Sequence, residues 1–162
     1  MHPDTLIEQA FATVSDLIRA QAGHRPATPS FIQEGRKLDY AGLDALLDRA
    51  AASLQREDIA PGDAISICAS TSIEYAVVYL AALRAGAIVA PLMPSSTREQ
   101  LAGMVSDCNA KLLFLDRSTA DSLPAAPRRI SLDEAEFASW LAPAGAKPLP
   151  VAVEPGWGFN II

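Results

Sequence analysis

Three consecutive hydroxyl side chains, Ser70, Thr71 and Ser72, are the first candidates for chemistry in this sequence. They follow an apolar run at residues 64–68 and precede a segment with helical spacing, so they fall at the carboxyl end of a predicted parallel strand. Ligand sites of α/β proteins lie at that end of a sheet, and hydroxyls beside a helix N-terminus could bind an anion. The alternative, which we favour, is a helix N-cap with polar neighbours.

Other reactive side chains are sparse and scattered. Asp107 precedes Cys108, and Asp116 precedes Arg117, at predicted ends of helices or strands, where carboxylates are usually solvated or capping. Cys68 and Cys108 lie in apolar stretches, which predicts two small buried hydrophobes in a reducing compartment rather than a disulfide or a reactive thiol.

The sequence lacks the motifs of nucleotide, nucleophile and metal sites. Neither GxxxxGK[ST], GxGxxG nor GxSxG occurs. The two histidines, His2 and His24, lie near the N-terminus, and with two separated cysteines they cannot form a zinc site. The residues alone therefore predict no catalytic, cofactor-binding or metal-binding residue in this chain.

Short apolar runs alternate with helical patterns, which is typical of a parallel sheet covered by helices on both faces. We predict strands at residues 64–68, 87–90, 111–115 and 129–130. Glu34 and Gly35 separate two short extended runs and predict a hairpin near the N-terminus. The expected fold class is α/β, with a doubly wound, largely parallel sheet flanked by helices and an N-terminal hairpin.

Helix starts are predicted from capping boxes, in which a Ser or Thr oxygen and a Glu three residues later satisfy each other's backbone amides. Four such pairs precede apolar positions at helical spacing: Thr5/Glu8, Thr71/Glu74, Ser96/Glu99 and Ser131/Glu134. The first pair is expected to open one helix that ends near Gly23. These four glutamates are thereby assigned to capping rather than to catalysis.

The composition is that of an ordinary globular protein of about one domain, with 162 residues, of which 50% are hydrophobic and 20% charged. A net charge of −6 excludes an electrostatic footprint for nucleic acid or anionic lipid. Residues 75–93 are mostly apolar, but Arg84 and Gly86 interrupt them, which favours a buried helix and strand over a membrane span. The N-terminus lacks the features of a signal peptide. We therefore expect a cytoplasmic protein without a membrane span.

Residues 142–158 are rich in Pro, Ala and Gly and show no periodicity. We interpret them as a surface connection between an α/β subdomain, residues 1–141, and the start of a strand, residues 159–162, that belongs to a longer domain. Trp140 and Trp157 flank this connection and are expected to pack it onto the body of the protein. Because the chain ends in mid-strand, we expect it to be cut from a longer protein and to expose a sheet edge that could self-associate.

Several stretches, in order along the chain, resemble motifs of the AMP-forming acyl-CoA synthetases, members of the adenylate-forming acid–thiol ligase superfamily of AMP-binding enzymes. They are residues 38–43 (LDYAGL), 59–67 (IAPGDAISI), 83–92 (LRAGAIVAPL) and 106–114 (SDCNAKLLF). Gly42 and Asn109 depart from the family pattern, which often has Glu and Gly at these positions. The resemblance covers nearly the whole chain and identifies it as the N-terminal portion of such an enzyme.

The resemblance implies an incomplete part of the family's large N-terminal domain, truncated just before the Ser/Thr/Gly-rich phosphate-binding loop. The parent enzyme would convert a carboxylate, ATP and CoA into acyl-CoA, AMP and pyrophosphate through an acyl-adenylate. The segments that bind ATP, Mg, the acyl group and CoA would all follow Ile162, so no catalytic residue carries over and this chain alone is expected to be inactive. The implied partners are the remainder of the parent chain and a carboxylic acid of unspecified type.

Two alternatives to this interpretation remain. One is a stand-alone α/β binding or interaction domain without ligase activity. The other is a nucleotide-binding flavodoxin-like protein, which the glycine-poor residues 69–72 disfavour because a phosphate loop is needed there.

Overall fold

The structure, a computed structural model, describes residues 2–162, which fold into helices, a hairpin and a parallel sheet. The helices are α1 (Pro3–Ile7), α2 (Val14–His24), α3 (Tyr40–Arg56), α4 (Ile73–Arg84), α5 (Arg98–Asp107) and α6 (Glu134–Trp140). The strands are β1 (Pro29–Gln33), β2 (Arg36–Asp39), β3 (Ala64–Cys68), β4 (Ile88–Pro91), β5 (Leu112–Leu115) and β6 (Arg128–Ser131). The predicted α/β fold class is confirmed, since the four apolar runs all form strands of one sheet.

The parallel sheet has the strand order β4-β3-β5-β6. Every residue of β3 and of β5 is buried, as expected of central strands that carry helices on both faces. Ile65 pairs with Val89 on one side and with Leu112 on the other, so the carboxyl ends of the three strands lie at the same edge. This edge is where residues 69–72 and 116–119 meet.

The hydrophobic core lies on both faces of this sheet. On one face, α3 and α4 bury Leu47, Leu54 and Val77 completely against the strands. On the other face, Leu101 and Val105 of α5 pack with alternate residues of β5. Because consecutive residues of a strand point to opposite faces, an apolar run without alternation is what this two-sided burial requires.

The hairpin β1-β2 turns at Glu34 and Gly35, both with positive φ (48° and 83°), as predicted. Its end is fixed to the start of α4 by two contacts. The Gln33 side chain accepts a hydrogen bond from the Ile73 backbone N–H at 2.9 Å, and Arg36 pairs with the buried carboxylate of Glu74.

The predicted capping boxes are wrong in register. Helix α5 begins with Thr97, whose hydroxyl accepts from the Gln100 N–H while the Gln100 side chain accepts from the Thr97 N–H. Helix α4 is capped by Ser72 rather than Thr71. The remaining corrected N-caps are His2 for α1, Thr13 with Asp16 for α2, and Asp133, without a side-chain bond, for α6.

The single N-terminal helix predicted from Thr5 to near Gly23 is instead two helices, α1 and α2, separated by residues 8–13. The real capping box at Thr13 interrupts the apolar stripe, because the Asp16 carboxylate accepts from both the backbone N–H and the hydroxyl of Thr13. An N-cap residue adopts extended backbone angles, so a helix cannot continue through it.

Residues 142–153, which we call the strap, cross the outer side of α3 and are held largely through their backbone. The Arg49 side chain donates to the Ala142 carbonyl at 2.7 Å, and the Ala142 N–H donates to the Ser53 hydroxyl at 2.7 Å. The Gln55 side-chain amide donates to the Leu149 carbonyl at 3.0 Å and accepts from the Leu149 N–H at 2.7 Å.

Gly86, in the turn between α4 and β4, lies under the strap. Its φ of +73° favours glycine, and a Cβ there would stand 2.8 Å from Val151 Cγ1 and 3.2 Å from Pro61 Cβ. Its carbonyl accepts from the Gly62 N–H at 2.8 Å, which ties the turn before β3 to the turn before β4.

The last residues extend the sheet beyond β4. Asn160 forms a parallel bridge with Val89, whose N–H donates to the Phe159 carbonyl and whose carbonyl accepts from the Ile161 N–H. In such a bridge the N–H and C=O of Asn160 face away from β4. The side chains of Phe159 and Ile162 are exposed, so this side of the sheet presents an apolar edge.

Candidate functional site

The carboxyl edge of the sheet brings together the two loops in which the sequence placed candidate polar residues. Asp116 directly follows β5, and its Oδ2 accepts from the Ser70 backbone N–H at 2.7 Å. Its Oδ1 accepts from the Ser118 hydroxyl at 2.6 Å and from the Thr119 N–H at 3.1 Å. The structure therefore joins Ser70 and Asp116, which are 46 residues apart in sequence.

These contacts determine the charge state of the Asp116 carboxyl. Burial alone would raise its pKa, but the hydrogen bonds from Ser118, Ser70 and Thr119 outweigh burial and lower the pKa to about 2. The group is therefore an ionised acceptor that its own loop already satisfies. A general base would need a pKa nearer to neutral pH and a free lone pair toward a substrate.

The hydroxyl cluster has a structural use at the same edge. Ser72 caps α4 by accepting from the Tyr75 N–H at 3.0 Å, while Ser70 and Thr71 are exposed. An anion approaching this helix start would meet the Asp116 carboxylate next to the Ser70 N–H. The helix-cap interpretation therefore fits the contacts better than an anion site.

The cysteines are free thiols within the described chain. Burial, followed by the charge of Asp116, raises the pKa of the Cys68 thiol to about 11, so it is not a nucleophile at neutral pH. Cys108 is only partly buried, in contrast to the expectation, and its Sγ lies 3.3 Å from the Ser66 hydroxyl. Asp107 is exposed at the end of α5, and exposed Arg117 lies 3.6 Å from Asp133.

The two histidines lie together, which their separation in sequence did not indicate. The rings of His2 and His24 make an edge contact with centroids 4.3 Å apart. Within residues 2–162, no group of three or more His, Cys, Asp or Glu side chains is placed to hold a metal ion.

Trp140 packs the end of α6 onto the sheet, with its ring edge-on to Phe114 at 5.2 Å between centroids. Trp157 is 38% exposed and lines a groove together with Phe159. The ring contacts of Trp140 are thus with the sheet and with Phe137 of α6, rather than with the connection as expected, and Trp157 is partly open to solvent.

A buried charge cluster is the main polar feature that sequence reasoning missed. The Arg84 guanidinium donates to Asp48 Oδ1 and to Asp44 Oδ1, each at 2.6 Å, and the side chains of Arg84 and Asp48 are 4% and 2% exposed. Arg19 of α2 and Lys147 of the strap contact the same Asp48 carboxylate. Burial alone would raise the pKa of Asp48, but Lys147 and Arg84 lower it. One feature of the sequence could have indicated this cluster: Asp44 and Asp48 are four residues apart, on the face of α3 that is otherwise apolar.

Solved structures show where this fold has been seen before. The N-terminal domain of FACL13 from Mycobacterium tuberculosis superposes with a TM-score of 0.84 at 20% identity, over 93% of this chain and 41% of that one. The N-terminal subdomain of Klebsiella oxytoca NpsA, in complex with 3-hydroxyanthranilyl-AMSN, gives 0.81 at 19% identity, over 96% and 39%. The fold is therefore the one found in N-terminal subdomains of adenylating enzymes.

The family follows from the sequence. The model of the AMP-binding enzyme family matches residues 18–153, and this chain belongs to that family. Among its relatives, the fatty acid–[acyl-carrier-protein] ligase ScoC of Streptomyces coeruleorubidus is 28% identical over 144 residues, which are 86% of this chain and 28% of ScoC. The dimodular nonribosomal peptide synthase of Bacillus subtilis is 30% identical over 138 residues, which are 83% of this chain and 6% of that protein. This chain thus spans less than a third of either relative.

Among residues 2–162, no helix is long and apolar enough to cross a membrane. The apolar stretch at residues 75–93 is divided between α4 and β4, as predicted.

Proposed function

We propose that this chain is the N-terminal part of an ATP-dependent acyl-CoA synthetase, and that the chain alone is inactive. The observation that carries the proposal is the match of the AMP-binding enzyme family to residues 18–153. The motifs at residues 59–67 and 83–92 have a structural role in this fold, because the hydrogen bond from the Gly62 N–H to the Gly86 carbonyl joins the turns that lead into β3 and β4.

The proposed reaction has two steps. A carboxylate oxygen attacks the α-phosphorus of ATP, forming an acyl–O–P bond and breaking the bond to pyrophosphate. The thiol sulfur of CoA then attacks the acyl carbon, a thioester bond forms, AMP leaves with the electron pair of the C–O bond, and the thiol proton passes to solvent. Adenylation makes this second step feasible because AMP is a far better leaving group than the original carboxylate oxygen.

The described residues do not fit the binding of Mg or ATP. The one strongly acidic carboxyl at the carboxyl edge, that of Asp116, has its oxygens occupied by backbone and hydroxyl donors. We therefore assign ATP, Mg and CoA binding to further parts of the parent chain. The coverage of 28% of ScoC is consistent with such further parts.

Two finer features belong to the same proposal. The acyl acceptor is proposed to be CoA, with a carrier protein as the competing acceptor because ScoC is a fatty acid–[acyl-carrier-protein] ligase. The compartment is proposed to be the cytoplasm, which suits the free thiols of Cys68 and Cys108.

The test compares this chain with a protein extended by whatever coding sequence follows Ile162. Titration calorimetry of Mg-ATP into the 162-residue chain should show no binding. The extended protein should release pyrophosphate only when a carboxylic acid is present, and should form a thioester with CoA. A stop codon directly after Ile162, or an extended protein without acid-dependent pyrophosphate release, would contradict the ligase proposal. Low-micromolar Mg-ATP binding by the short chain would contradict its inactivity.

The exposed edge at residues 159–162 supports a further part of the proposal, namely that the chain alone self-associates. Light scattering over a concentration series should show the mass rising above 17.1 kDa. A charged substitution, Ile161→Lys, should keep the chain monomeric, because an edge with an added charge pairs poorly with a second strand. A chain that stays monomeric at every concentration would contradict this part alone.

A further inference from the structure

The two edges of the parallel sheet differ in how they meet solvent. At one edge lies β6, a strand of four residues in which Arg128 and Arg129 are exposed. Arg128 pairs with Glu57 at 2.7 Å, and Arg129 donates to the Ala120 carbonyl at 2.6 Å. Short edge strands with charged side chains protect a sheet against the addition of another strand. The β6 edge therefore has the features of an edge that stays free.

The edge at residues 159–162 has no such protection. The N–H and C=O of Asn160 face away from β4, and neither forms a backbone hydrogen bond within residues 2–162. The side chains of Phe159, Ile161 and Ile162 are apolar and exposed. In addition, the side-chain Oδ1 of Asn160 is buried and has no hydrogen-bond partner in the described part of the chain. Buried polar atoms are nearly always paired, so this oxygen indicates a donor on a neighbouring segment outside these residues.

An apolar pocket of about 420 Å³ adjoins this edge. Phe11, Val14, Trp157 and Phe159 line it with side chains that are 41%, 51%, 38% and 61% exposed. Ile161 lies two residues after Phe159 and therefore on the same side of the strand. We call these five residues the terminal face. Large apolar side chains that cluster on a surface mark an interaction site more often than scattered ones do.

The partner that best fits the terminal face is a further segment of the parent chain. A lipid surface would leave the N–H and C=O of Asn160 unpaired, and the net charge of −6 would repel anionic lipid. A second copy related by two-fold symmetry would bring Glu154, the one charged residue described in the pocket lining, together with its own copy. The remainder of the parent chain is attached at this edge, and relatives such as ScoC, of which this chain covers 28%, contain such a remainder.

We propose that the terminal face docks the remainder of the parent chain as a separate folding unit, an inference that rests on the proposed function. A strand of the remainder accepts from the Asn160 N–H and donates to its C=O, and apolar side chains of the remainder fill the pocket. Because β3 and β5 are fully buried within residues 2–162, this chain has a core of its own. The two pieces therefore assemble without a peptide bond between them, and self-association of the chain alone uses the same face.

The first experiment supplies the two pieces as separate polypeptides. This chain, with an affinity tag, and the polypeptide encoded after Ile162 are produced in the same cell and purified through the tag. We expect a one-to-one complex by light scattering, which releases pyrophosphate with a carboxylic acid as the extended protein does. Hydrogen exchange of the Asn160 N–H, followed by NMR, should slow at least about tenfold in the complex relative to the monomeric chain. The Ile161 N–H already donates to the Val89 carbonyl and should change less.

Matched variants test which residues form the interface. Trp157→Ala and Phe159→Ala should each weaken the complex at least about tenfold, because aromatic side chains at the centre of an interface carry much of its affinity. Ile32→Ala is the control and should leave the affinity unchanged, since this side chain is 66% exposed on the hairpin, outside the terminal face. Asn160→Leu should leave the urea midpoint of the chain alone unchanged or higher but weaken the complex, because only the complex supplies a donor for Oδ1.

The outcomes separate the docking proposal from the ligase proposal. An active extended protein whose two pieces do not assemble, or assemble without slower exchange at Asn160, would overturn docking alone. Pieces that assemble with slower exchange at Asn160 but, like the extended protein, release no pyrophosphate would overturn the ligase reaction alone. A stop codon directly after Ile162 would overturn both.

The other possible occupants of the terminal face are also tested. A dimer of this chain that persists in an excess of the remainder would make the occupant a second copy. Binding to phosphatidylcholine vesicles that the remainder does not displace would make the terminal face a membrane-contact surface. Either result, or affinities that Trp157→Ala and Phe159→Ala leave unchanged, would overturn the docking proposal.

Discussion

Replacing Arg84 by Met tests whether the buried charge cluster stabilises the fold as a unit. The Arg84 side chain donates to the Ser15 hydroxyl at 2.7 Å, to the Asp44 carbonyl at 3.0 Å, and to the carboxylates of Asp44 and Asp48 at 2.6 Å each. Removing one partner from a buried ion pair costs about 3–5 kcal/mol, because the remaining charge is left without compensation. Since Asp48 keeps Arg19 and Lys147, we expect the lower end, about 3 kcal/mol.

The assay is urea unfolding followed by far-UV circular dichroism, with the free energy of unfolding obtained by linear extrapolation. Arg117→Ala is the control, since this side chain is 89% exposed and its pair with Asp133 should contribute less than about 1 kcal/mol. The double variant Arg84→Met/Asp48→Leu should lose at least about 1 kcal/mol less stability than the sum of the two single losses. A loss below about 1 kcal/mol for Arg84→Met, or strict additivity in the double variant, would refute the reasoning.

Three further predictions concern single positions. Asp116→Asn should remove a pH dependence of stability, because the pKa of Asp116 in the folded protein is about 2, below its ordinary value. The ionised carboxyl then stabilises the fold by up to about 2 kcal/mol above about pH 4, and this contribution is lost as the pH falls toward 2. The unfolding curves of wild type and variant should therefore converge in acid, and persistent divergence there would contradict the prediction. Gly86→Ala should lower the free energy of unfolding by about 2 kcal/mol or more, because of the positive φ of Gly86 and its contact with the strap. The control Gly103→Ala, in open space on α5, should be neutral or stabilising in the same thermal unfolding assay. Equal effects of the two substitutions would count against the argument. Thr97→Ala should lower stability by about 1 kcal/mol and Ser96→Ala by much less, because Thr97 caps α5. A larger loss for Ser96→Ala would instead support Ser96 as the cap, as predicted from the sequence.

The strands were predictable because their signal is local. Residues 64–68 are apolar without alternation, and only a strand covered on both faces buries such a run. The hairpin was equally readable, since Glu34 and Gly35 supply the positive φ values that a tight turn requires.

The helix caps were predicted less well because several hydroxyls compete at each start. Ser96 and Thr97 both precede α5, and a rule that requires Glu three residues later selects Ser96, yet Gln100 completes the box with Thr97. Which hydroxyl caps the helix depends on where the helix packs, and that is decided by distant residues rather than by the motif.

The charge cluster could not be derived from sequence order because its pairs are remote. Arg84 meets Asp48 across 36 residues, and Lys147 meets the same carboxylate across 99. The polar residues of the carboxyl edge could be named from the sequence, but the hydrogen bonds between them form only when β3 and β5 become neighbours.

The strap has a consequence for how freely its sequence can change. The side chains of Arg49, Ser53 and Gln55 form hydrogen bonds with peptide groups of the strap, whereas the Leu149 side chain itself is 74% exposed. Apart from Lys147, which pairs with Asp48, and Val151, which packs over Gly86, the exposed strap positions can therefore vary while α3 stays constrained, which makes Leu149 a suitable place for a label. Proline is the exception at position 149, because that residue, between two prolines, must keep the N–H that Gln55 accepts.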